Sequence, residues 1–323
     1  MTPQTPLQAD PLPAAAAGRT GGRFIYIACP WTPVGGGMFK VADYLIQAQD
    51  FQTPAHAAQL RPLDTRGGGH PAFSAWVLLT AMARLLSARL QGALAGVHVN
   101  MAERLSLWRK SALVAWCRLL GIPVVLHLHA AQLHHFYAAL PRPLQRLTRW
   151  VFSLPASVVV LGHASRSFVT ETLGVPPERV EIVVNGVPEP QERRRRAAAG
   201  GVQRVLFVGN LSERKGVSDL LQALARPGFD PARLRVSFAG GGDVEGYEAK
   251  ARALGVDRFV RFVGWADQRK VAQLMAAADV LVLPSYDEGL PLVILEALAH
   301  GMAVVCSPVG EIPAELSDGV NAR

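Results

Sequence analysis

The stretch that decides the fold is VLVLPSYDEGLPLVILEALAHGMAVVCS, Val280–Ser307. Val280–Pro284 and Ala303–Ser307 are short apolar runs typical of buried strands, whereas Pro291–His300 has the apolar spacing of a helix. A strand, a helix and a second strand in succession predict a βα unit with parallel strands. The turn Gly289–Pro291 separates the first strand from the helix, and proline suits a helix start because its missing N–H has no intrahelical partner there.

The same alternation runs along the chain in two series. The remaining predicted strands are 23–29, 96–100, 123–129, 157–162 and 182–186 in the first series, and 204–209, 235–241 and 259–264 in the second. Helical spacing fills the intervals, which predicts an α/β protein with two Rossmann-like, doubly wound domains. In open α/β sheets ligands bind beyond the carboxyl ends of the strands, so we expect the two domains to face a cleft.

The two series are separated by PEPQERRRRAAAGG, Pro188–Gly201, which is polar and has no apolar period. The sequence therefore predicts a disordered tail over 1–22, an N-terminal Rossmann-like domain over 23–188, a linker over 189–201 and a C-terminal Rossmann-like domain over 202–323.

The composition restricts the classes of function. Of the 323 residues 50% are hydrophobic and 18% are charged, which excludes a wholly disordered chain. The net charge of +8 favours an anionic partner, but no nucleic-acid-binding motif accompanies it, so no nucleic acid is expected. Three cysteines far apart in the chain indicate a reducing cytoplasm. Arg84 and Arg89 interrupt the most apolar window, so no segment is expected to cross a membrane.

Two glutamates flank the helix start in the opening stretch. Glu288 precedes the helix and Glu296 lies about a turn and a half inside it, so both can face one ligand. The helix start favours a phosphate, because its N–H groups are unpaired and its dipole is positive there. Carboxylates beside a phosphate accept hydrogen bonds from hydroxyls, and a molecule with hydroxyls on both sides of a diphosphate is a nucleotide-sugar. On spacing alone, a surface Glu288 and an incidental Glu296 fit equally well.

Several linked motifs strengthen the first interpretation. In chain order they are PVGGGMFK (33–40), VVNGV (183–187), FVGNLSERKGVSDLLQAL (207–224), EGLPLVILEALAHGMAVV (288–305) and PVGEIPAEL (308–316). With these segments the chain resembles the retaining glycosyltransferases of the GT-B fold, in the family called GT4 or group 1. The resemblance extends over nearly the whole chain from about residue 23. It implies that 23–188 is the acceptor-side domain and that 202–323 is the nucleotide-sugar-binding domain, expected to be incomplete at its C-terminus.

The resemblance implies roles for the residues around the helix start. Glu288 would contact the hydroxyls of the donor sugar, and Glu296 would contact the ribose. Backbone amides of Gly289, Leu290 and the residues around Pro291 and Leu292 would hold the diphosphate.

The resemblance also implies that Lys215 neutralises the diphosphate as the sugar leaves. The family usually has an arginine directly after Gly209, where this chain has Asn210. Arg214 is the candidate for the second positive group; otherwise the donor phosphate is held less tightly.

The first half contributes further candidates. Gly36 and Gly37 follow the first strand and leave bare backbone that could approach a diphosphate, although they do not form the GxGxxG fingerprint. His129 is the candidate cleft histidine, with His127 as its competitor on the same strand. The histidines and carboxylates have no metal-ligand spacing, so neither a metal nor another cofactor is expected.

Basic residues of the first half predict a surface for an anionic acceptor or for acidic lipid. Arg109 and Lys110 start a helical segment, and Arg142, Arg146 and Arg149 follow in a second one. A solvated basic turn fits Arg109 and Lys110 equally well.

The expected function is that of a cytoplasmic, metal-independent retaining hexosyltransferase that uses a nucleoside-diphosphate-sugar. Its expected acceptor is a glycan or lipid-linked glycan of a surface polysaccharide, with an acidic membrane surface at the inner face of the cytoplasmic membrane as a further partner. Two alternatives stay open. One is an isomerase like the nucleotide-sugar 2-epimerases, and the other is an inactive nucleotide-sugar-binding protein, since the family normally continues beyond SDGVNAR.

Overall fold

The computed structural model describes residues 23–32, 36–52, 58–68, 71–191, 201–228, 230–320 and 322. The predicted tail, 1–22, and most of the predicted linker, 192–200, lie outside the described residues. The predicted boundaries between domains therefore stay a prediction.

Six parallel strands form the first sheet, in the order β2-β1-β3-β4-β5-β6. They are β1 (Phe24–Cys29), β2 (Gln59–Asp64), β3 (Leu94–Met101), β4 (Val124–Leu128), β5 (Ser157–Val160) and β6 (Val180–Ile182). The chain continues from β1 to β2 on one side and returns to β3 on the other. The direction of winding therefore reverses between β1 and β3, and such a topological switch point is where open α/β sheets bind ligands.

Five parallel strands form the second sheet, in the order β11-β10-β7-β8-β9. They are β7 (Gln203–Val208), β8 (Leu234–Ala239), β9 (Val260–Gly264), β10 (Val280–Leu283) and β11 (Ala303–Cys306). The rings of Phe207 and Phe238 lie 5.4 Å apart at the centre of the core, and Phe238 stacks on Phe262 at 5.0 Å. The opening stretch is thus the β10, helix and β11 unit that sequence analysis predicts.

Helices connect the strands in both sheets. In the first series they are α1 (Gly37–Gln52), α2 (Pro71–Leu90), α3 (Leu105–Leu119), α4 (Leu133–Ala138), α5 (Arg142–Ser153) and α6 (His163–Ser167). In the second series they are α7 (Val217–Leu224), α8 (Val244–Ala253), α9 (Gln268–Ala277), α10 (Leu292–Ala299) and α11 (Ile312–Glu315). A π-helical turn, Phe168–Thr172, continues α6, and a 3₁₀ turn, Glu213–Lys215, precedes α7.

Two predicted elements differ from the structure. Strand β2 is absent from the prediction because its sequence, QLRPLD, contains Arg61 and Pro62, and both are exposed. Proline is tolerated here because β2 is an edge strand, where one side of the backbone has no partner strand. The predicted strand over 182–186 is wrong in its bounds, since β6 ends at Ile182.

Backbone contacts divide the chain into two compact units. The first unit comprises the residues up to Asn100, Trp108–Leu126 and Leu154–Ala156. The second unit comprises Met101–Leu107, His127–Ser153 and the chain from Ser157 onward.

One helix in the described part of the chain is long and apolar enough to be a candidate membrane span. The window Phe73–Leu90 of α2 has a mean hydropathy of 1.3, and 17% of it is buried within the protein. The helix is a candidate by its length and composition only, and both Arg84 and Arg89 lie inside the window. The expectation that no segment crosses a membrane stays a prediction.

Candidate active site

The two glutamates of the opening stretch are both largely buried in the second unit. Glu288 is 7% exposed and lies in the loop between β10 and α10, while Glu296 is 8% exposed and lies in the second turn of α10. Pro291 stands immediately before the first helical residue, Leu292. A buried carboxylate costs free energy unless partners stabilise it, so these positions are built for specific contacts.

Glu288 has a cationic partner on the 3₁₀ turn. The Nζ atom of Lys215 contacts Oε1 of Glu288, and the two side chains are only 13% and 8% exposed. Two hydrogen bonds between the 3₁₀ turn and the loop after β10 hold this pair in place. The N–H of Tyr286 donates to the carbonyl of Arg214 at 2.9 Å, and Nη1 of Arg214 donates to the carbonyl of Asp287 at 2.5 Å.

Gly216 lets the 3₁₀ turn approach the end of β10. Its φ of +67° lies in the left-handed region, and a Cβ atom there would be 2.0 Å from the carbonyl oxygen of Pro284. Any side chain would therefore push the turn, and Lys215 with it, away from Glu288.

A polar cluster that sequence analysis missed supports the same turn. Ser218 Oγ donates to Oε1 of Glu213 at 2.5 Å and Tyr247 OH donates at 3.1 Å, while Lys250 Nζ donates to Ser218 at 2.5 Å. These contacts lower the pKa of Glu213, chiefly through Ser218. Burial, together with the Glu213 carboxylate, raises the pKa of Tyr247 to about 12. The turn is thus anchored on α7 and α8.

The loop after β7 lies beside the lysine. The N–H of Gly209 donates to Ala239 at 3.0 Å, and a Cβ atom at Gly209 would be 3.8 Å from Cε of Lys215. Asn210 follows and is exposed. Its neighbour Leu211 donates its N–H to Gly241 at 2.7 Å, so this loop is fixed by the segment after β8.

A second loop, 307–311, packs under Glu288 and Gly289. Gly310 has a φ of +61°, and a Cβ atom there would be 2.0 Å from the carbonyl oxygen of Glu288. The N–H of Glu311 donates to the carbonyl of Gly289 at 3.1 Å. On the other side, Nδ2 of Asn185 donates to the carbonyl of Leu290 at 3.4 Å.

Glu311 is the second feature that sequence analysis missed. Its carboxylate is 4% exposed and accepts hydrogen bonds from Ser165 N at 2.8 Å, Ser165 Oγ at 2.7 Å and Ala164 N at 3.3 Å. It thereby caps the start of α6. The motif PVGEIPAEL contains this residue, but its partners lie 146 and 147 positions earlier in the chain.

These loops enclose a cavity of about 310 Å³ within the second unit. Its walls come from Glu288 and Gly289, from Gly310 and Glu311, and from segments between residues 128 and 134 and between 164 and 172. His134 lines the cavity, whereas His129 is not among its lining residues in the part of the chain described. His129 stacks beside His127, with ring centroids 3.9 Å apart, and its N–H donates to Met101 at 2.8 Å.

Four further first-half candidates, Gly36, Gly37, Arg109 and Lys110, lie in the first unit, whereas Arg142, Arg146 and Arg149 lie in the second. Gly36 and Gly37 stand at the start of α1, and the carbonyl of Gly36 accepts the N–H groups of Phe39 and Lys40. Lys110 is 0% exposed, so its predicted role at a basic surface is wrong. Its Nζ atom is instead hydrogen-bonded inside the first unit, to Ala28 and Thr65.

Within the described ranges, no group of three or more histidines, cysteines or carboxylates is placed to hold a metal ion. The predicted independence of a metal stays a prediction.

Two family models match the chain. The model for glycosyl transferases group 1 matches residues 202–323, and the model for Glycosyltransferase Family 4 matches residues 54–189. The chain belongs to the group 1 glycosyltransferases. The predicted family is therefore confirmed.

Curated relatives of this group 1 glycosyltransferase match it over part of their length. A D-inositol 3-phosphate glycosyltransferase of Corynebacterium aurimucosum is 35% identical over 153 residues, which are 45% of this chain and 36% of that protein. A glycogen synthase of Mycobacterium tuberculosis is 29% identical over 215 residues, which are 64% of this chain and 51% of that protein. The chain thus spans between about a third and half of the length of these relatives.

Solved structures support the fold. The apo form of the lipopolysaccharide outer core galactosyltransferase WaaB aligns with a TM-score of 0.64 at 17% identity, over 93% of this chain and 85% of that one. Sucrose-phosphate synthase from Thermosynechococcus elongatus aligns with a TM-score of 0.69 at 18% identity and the same coverage. With the two parallel sheets, these likenesses confirm the predicted two-domain Rossmann-like GT-B fold.

Proposed function

We propose that the chain transfers a sugar from a nucleoside-diphosphate-sugar to a hydroxyl of a glycan acceptor. The observation that carries this proposal is the buried Lys215–Glu288 pair at the start of α10. A carboxylate that accepts sugar hydroxyls stands there beside a cation that stabilises a departing phosphate. Both groups are held in place before the substrate arrives, which is the condition under which electrostatic stabilisation is most effective.

The donor would be bound through its diphosphate and its hydroxyls. The backbone from Gly289 to Leu292 would offer N–H groups at the start of α10, with Lys215 and Arg214 supplying positive charge. Glu296, in the second turn of α10, is proposed to accept hydrogen bonds from the ribose. With positive charge from Lys215, Arg214 and the helix start directed at the diphosphate, the proposed reaction uses no metal.

We further propose that transfer retains the configuration of the anomeric carbon. The bond from that carbon to the phosphate oxygen breaks, and the bond from the acceptor oxygen forms on the same face. The acceptor's proton passes to the departing phosphate oxygen. Glu288 is engaged by Lys215, which argues against Glu288 as a covalent nucleophile.

The proposed acceptor is a lipid-linked glycan used in surface polysaccharide synthesis, and the proposed place is the cytoplasmic face of a membrane. Helix α5 supports this, because Leu144, Leu147 and Trp150 are exposed at 36%, 40% and 51%. The same helix carries Arg142, Arg146 and Arg149 and no acidic residue. Exposed aromatic and aliphatic side chains beside arginines are typical of helices that lie on acidic lipid.

The test uses the full chain with a panel of nucleoside-diphosphate-sugars, first for binding by calorimetry and then with a panel of glycan acceptors. Transfer that is lost in Glu288→Gln and kept in Glu245→Gln, an exposed glutamate on α8, would support the proposal. The anomeric configuration of the product, measured by NMR, tests retention.

Two other results would overturn the proposal. A donor sugar that changes without any acceptor would identify an isomerase. Donor binding without turnover by any acceptor in the panel would identify a binding protein.

A further inference from the structure

A completely buried lysine lies at the carboxyl ends of β1 and β2 in the first sheet. Lys110, on α3, is 0% exposed, and its Nζ atom donates to the carbonyl of Ala28 at 2.7 Å and to Oγ1 of Thr65 at 2.6 Å. Ala28 belongs to β1, and Thr65 directly follows β2. The lysine therefore ties α3 to the carboxyl ends of two neighbouring strands.

Two arginines stand beside this lysine. Arg109 precedes it on α3, and Arg66 follows Thr65. Burial, and after it the like charge of the nearby Arg66, lower the pKa of Arg109, whereas the charge of Asp64 opposes this shift. Arg66 is exposed and Arg109 is partly exposed.

The nearby carboxylate is already engaged by the backbone. Oδ1 of Asp64 accepts the N–H groups of Trp31 at 3.2 Å and Arg66 at 2.9 Å, and Oδ2 accepts the N–H of Gly67 at 3.0 Å. These bonds shape the loop after β2 and hold the carboxylate of Asp64 toward the backbone of that loop. The guanidinium groups of Arg66 and Arg109 thus stand near Asp64 at this end of the sheet, while burial lowers the pKa of Lys110 to about 7.

Arg109 also has a donor that needs an acceptor. Its Nε atom is shielded from water and has no hydrogen-bond partner within the described residues. A buried donor without an acceptor is costly, and a guanidinium group offers its N–H groups in a fork that matches two oxygens of one oxyanion.

We propose that Arg66 and Arg109 form a phosphate-binding site at the carboxyl ends of β1 and β2. Neither arginine is among the donor-binding residues proposed above. Open α/β sheets bind ligands beyond the carboxyl ends of their strands, and the planar fork of an arginine matches two oxygens of a phosphate. Lys110 is a positioning residue, because its hydrogen bonds to Ala28 and Thr65 hold the ends of β1 and β2 together. If the proposed transfer reaction is correct, the site binds a phosphate carried by the acceptor.

The experiment measures the binding of inorganic phosphate to the full chain by equilibrium dialysis. Arg214 and Lys215 are first replaced by alanine, because they offer a second phosphate site. In that background, Arg66→Gln and Arg109→Gln are each expected to weaken phosphate binding about tenfold, the usual effect of losing a charge-assisted hydrogen bond. Arg118→Gln is the matched control, because Arg118 is an exposed arginine at the other end of α3.

Three results would overturn the site. The first is that the protein with Arg214 and Lys215 replaced by alanine, which is the parent here, binds no phosphate. The others are that the Arg66 and Arg109 variants bind phosphate as tightly as this parent, or that Arg118→Gln weakens binding as much as they do. Melting temperatures of all variants guard against unfolding. Arg109→Lys is expected to bind more weakly than the parent, because it keeps the charge but loses the fork.

Two probes separate the sources of the phosphate. Glycerol 3-phosphate tests a soluble ester, and vesicles of phosphatidic acid in neutral lipid test a lipid headgroup. Binding of either probe that depends on Arg109 supports the site and identifies the source, whereas binding of neither overturns it. Because no step requires sugar transfer, an inactive chain that binds phosphate here would refute the proposed function alone.

Discussion

Lys215 and Glu288 illustrate how one pair of side chains can serve two purposes. Each neutralises the other while both are shielded from water, which offsets the cost of burying either charge alone. The same closeness places positive charge next to the sugar-binding carboxylate of the proposed reaction. The pair is therefore a structural contact and a proposed catalytic one.

Replacing Lys215 with alanine is expected to lower kcat for sugar transfer by about 100-fold or more, the usual cost of losing one group aimed at developing charge. The measurement is steady-state kinetics with saturating donor. Lys270→Ala, an exposed lysine on α9, is the control and should keep the parent rate. A Lys215→Ala enzyme with more than half of the parent kcat would contradict the assignment.

Gly216→Ala is expected to lower the free energy of unfolding by about 2 kcal/mol or more, because it adds a clash with Pro284 to the strain of a left-handed backbone. Gly255→Ala is a matched control, since Gly255 has a φ of +71° and nothing within 4 Å of its Cβ position. That control should cost about 1 kcal/mol, from strain alone. Urea unfolding of both variants checks the difference, and equal costs would show that the close approach is unimportant.

Lys110 is expected to make stability depend on pH. Burial is the main cause that lowers its pKa from 10.5 to about 7. Between pH 7 and pH 10 the unfolded chain binds a proton at this lysine that the folded chain does not, so the free energy of unfolding rises with pH over this window.

Urea unfolding at pH 7 and pH 9 tests this expectation against Lys110→Met. The stability of the parent relative to the variant should rise by about 2 kcal/mol between the two values. The variant also leaves Ala28 and Thr65 without a donor, but that cost is constant with pH. A difference that does not change with pH would disprove the lowered pKa.

At the scale of elements, Glu311 connects the loop under Glu288 to the start of α6. Glu311→Ala is expected to lower the free energy of unfolding by about 1–2 kcal/mol, since it removes a helix cap. Hydrogen exchange should accelerate over residues 163–172 and stay unchanged over α9. Glu311→Gln keeps one acceptor oxygen and should have a smaller effect. If hydrogen exchange over 163–172 is as slow in the variants as in the parent, this contact does not stabilise α6.

Helix α5 carries the prediction about membranes. Replacing Leu147 and Trp150 with serine is expected to weaken binding to vesicles that contain acidic lipid by about tenfold or more, because two large apolar contacts are lost. Flotation of full-length protein is the measurement. Trp265→Ser is the control, because Trp265 is exposed at 52% on a loop, close to the 51% of Trp150. Equal flotation of all three proteins would exclude α5 as the contact.

For the whole molecule, the sequence predicts the fold well because buried parallel strands are nearly continuous apolar runs. Strand β2 is the exception, since an edge strand tolerates Arg61 and Pro62 and loses that signal. Glu288, Glu296 and Lys215 could be named as candidates because linked motifs carry them. Their mutual contact could not, because it depends on how the turn before α7 meets the loop after β10.

Other side chains were beyond sequence reasoning for one physical reason: their partners are distant in the chain. The carbonyl that accepts from Lys110 lies 82 positions away, so a basic turn and a buried ammonium have the same local sequence. Glu311 is a similar case. A pattern indicates which residues are near a helix start, but only the tertiary structure decides which polar groups find one another.

Because Lys110 is completely buried, its chemical modification can report when the first unit opens. The chain has five lysines, and an amine-reactive reagent reaches an amino group only when it is open to solvent. Lys270 should be acylated at once, whereas Lys110 should be acylated only after α3 separates from the ends of β1 and β2. The lag between the two, followed by mass spectrometry of the digested chain, would time the opening of this unit without any introduced label.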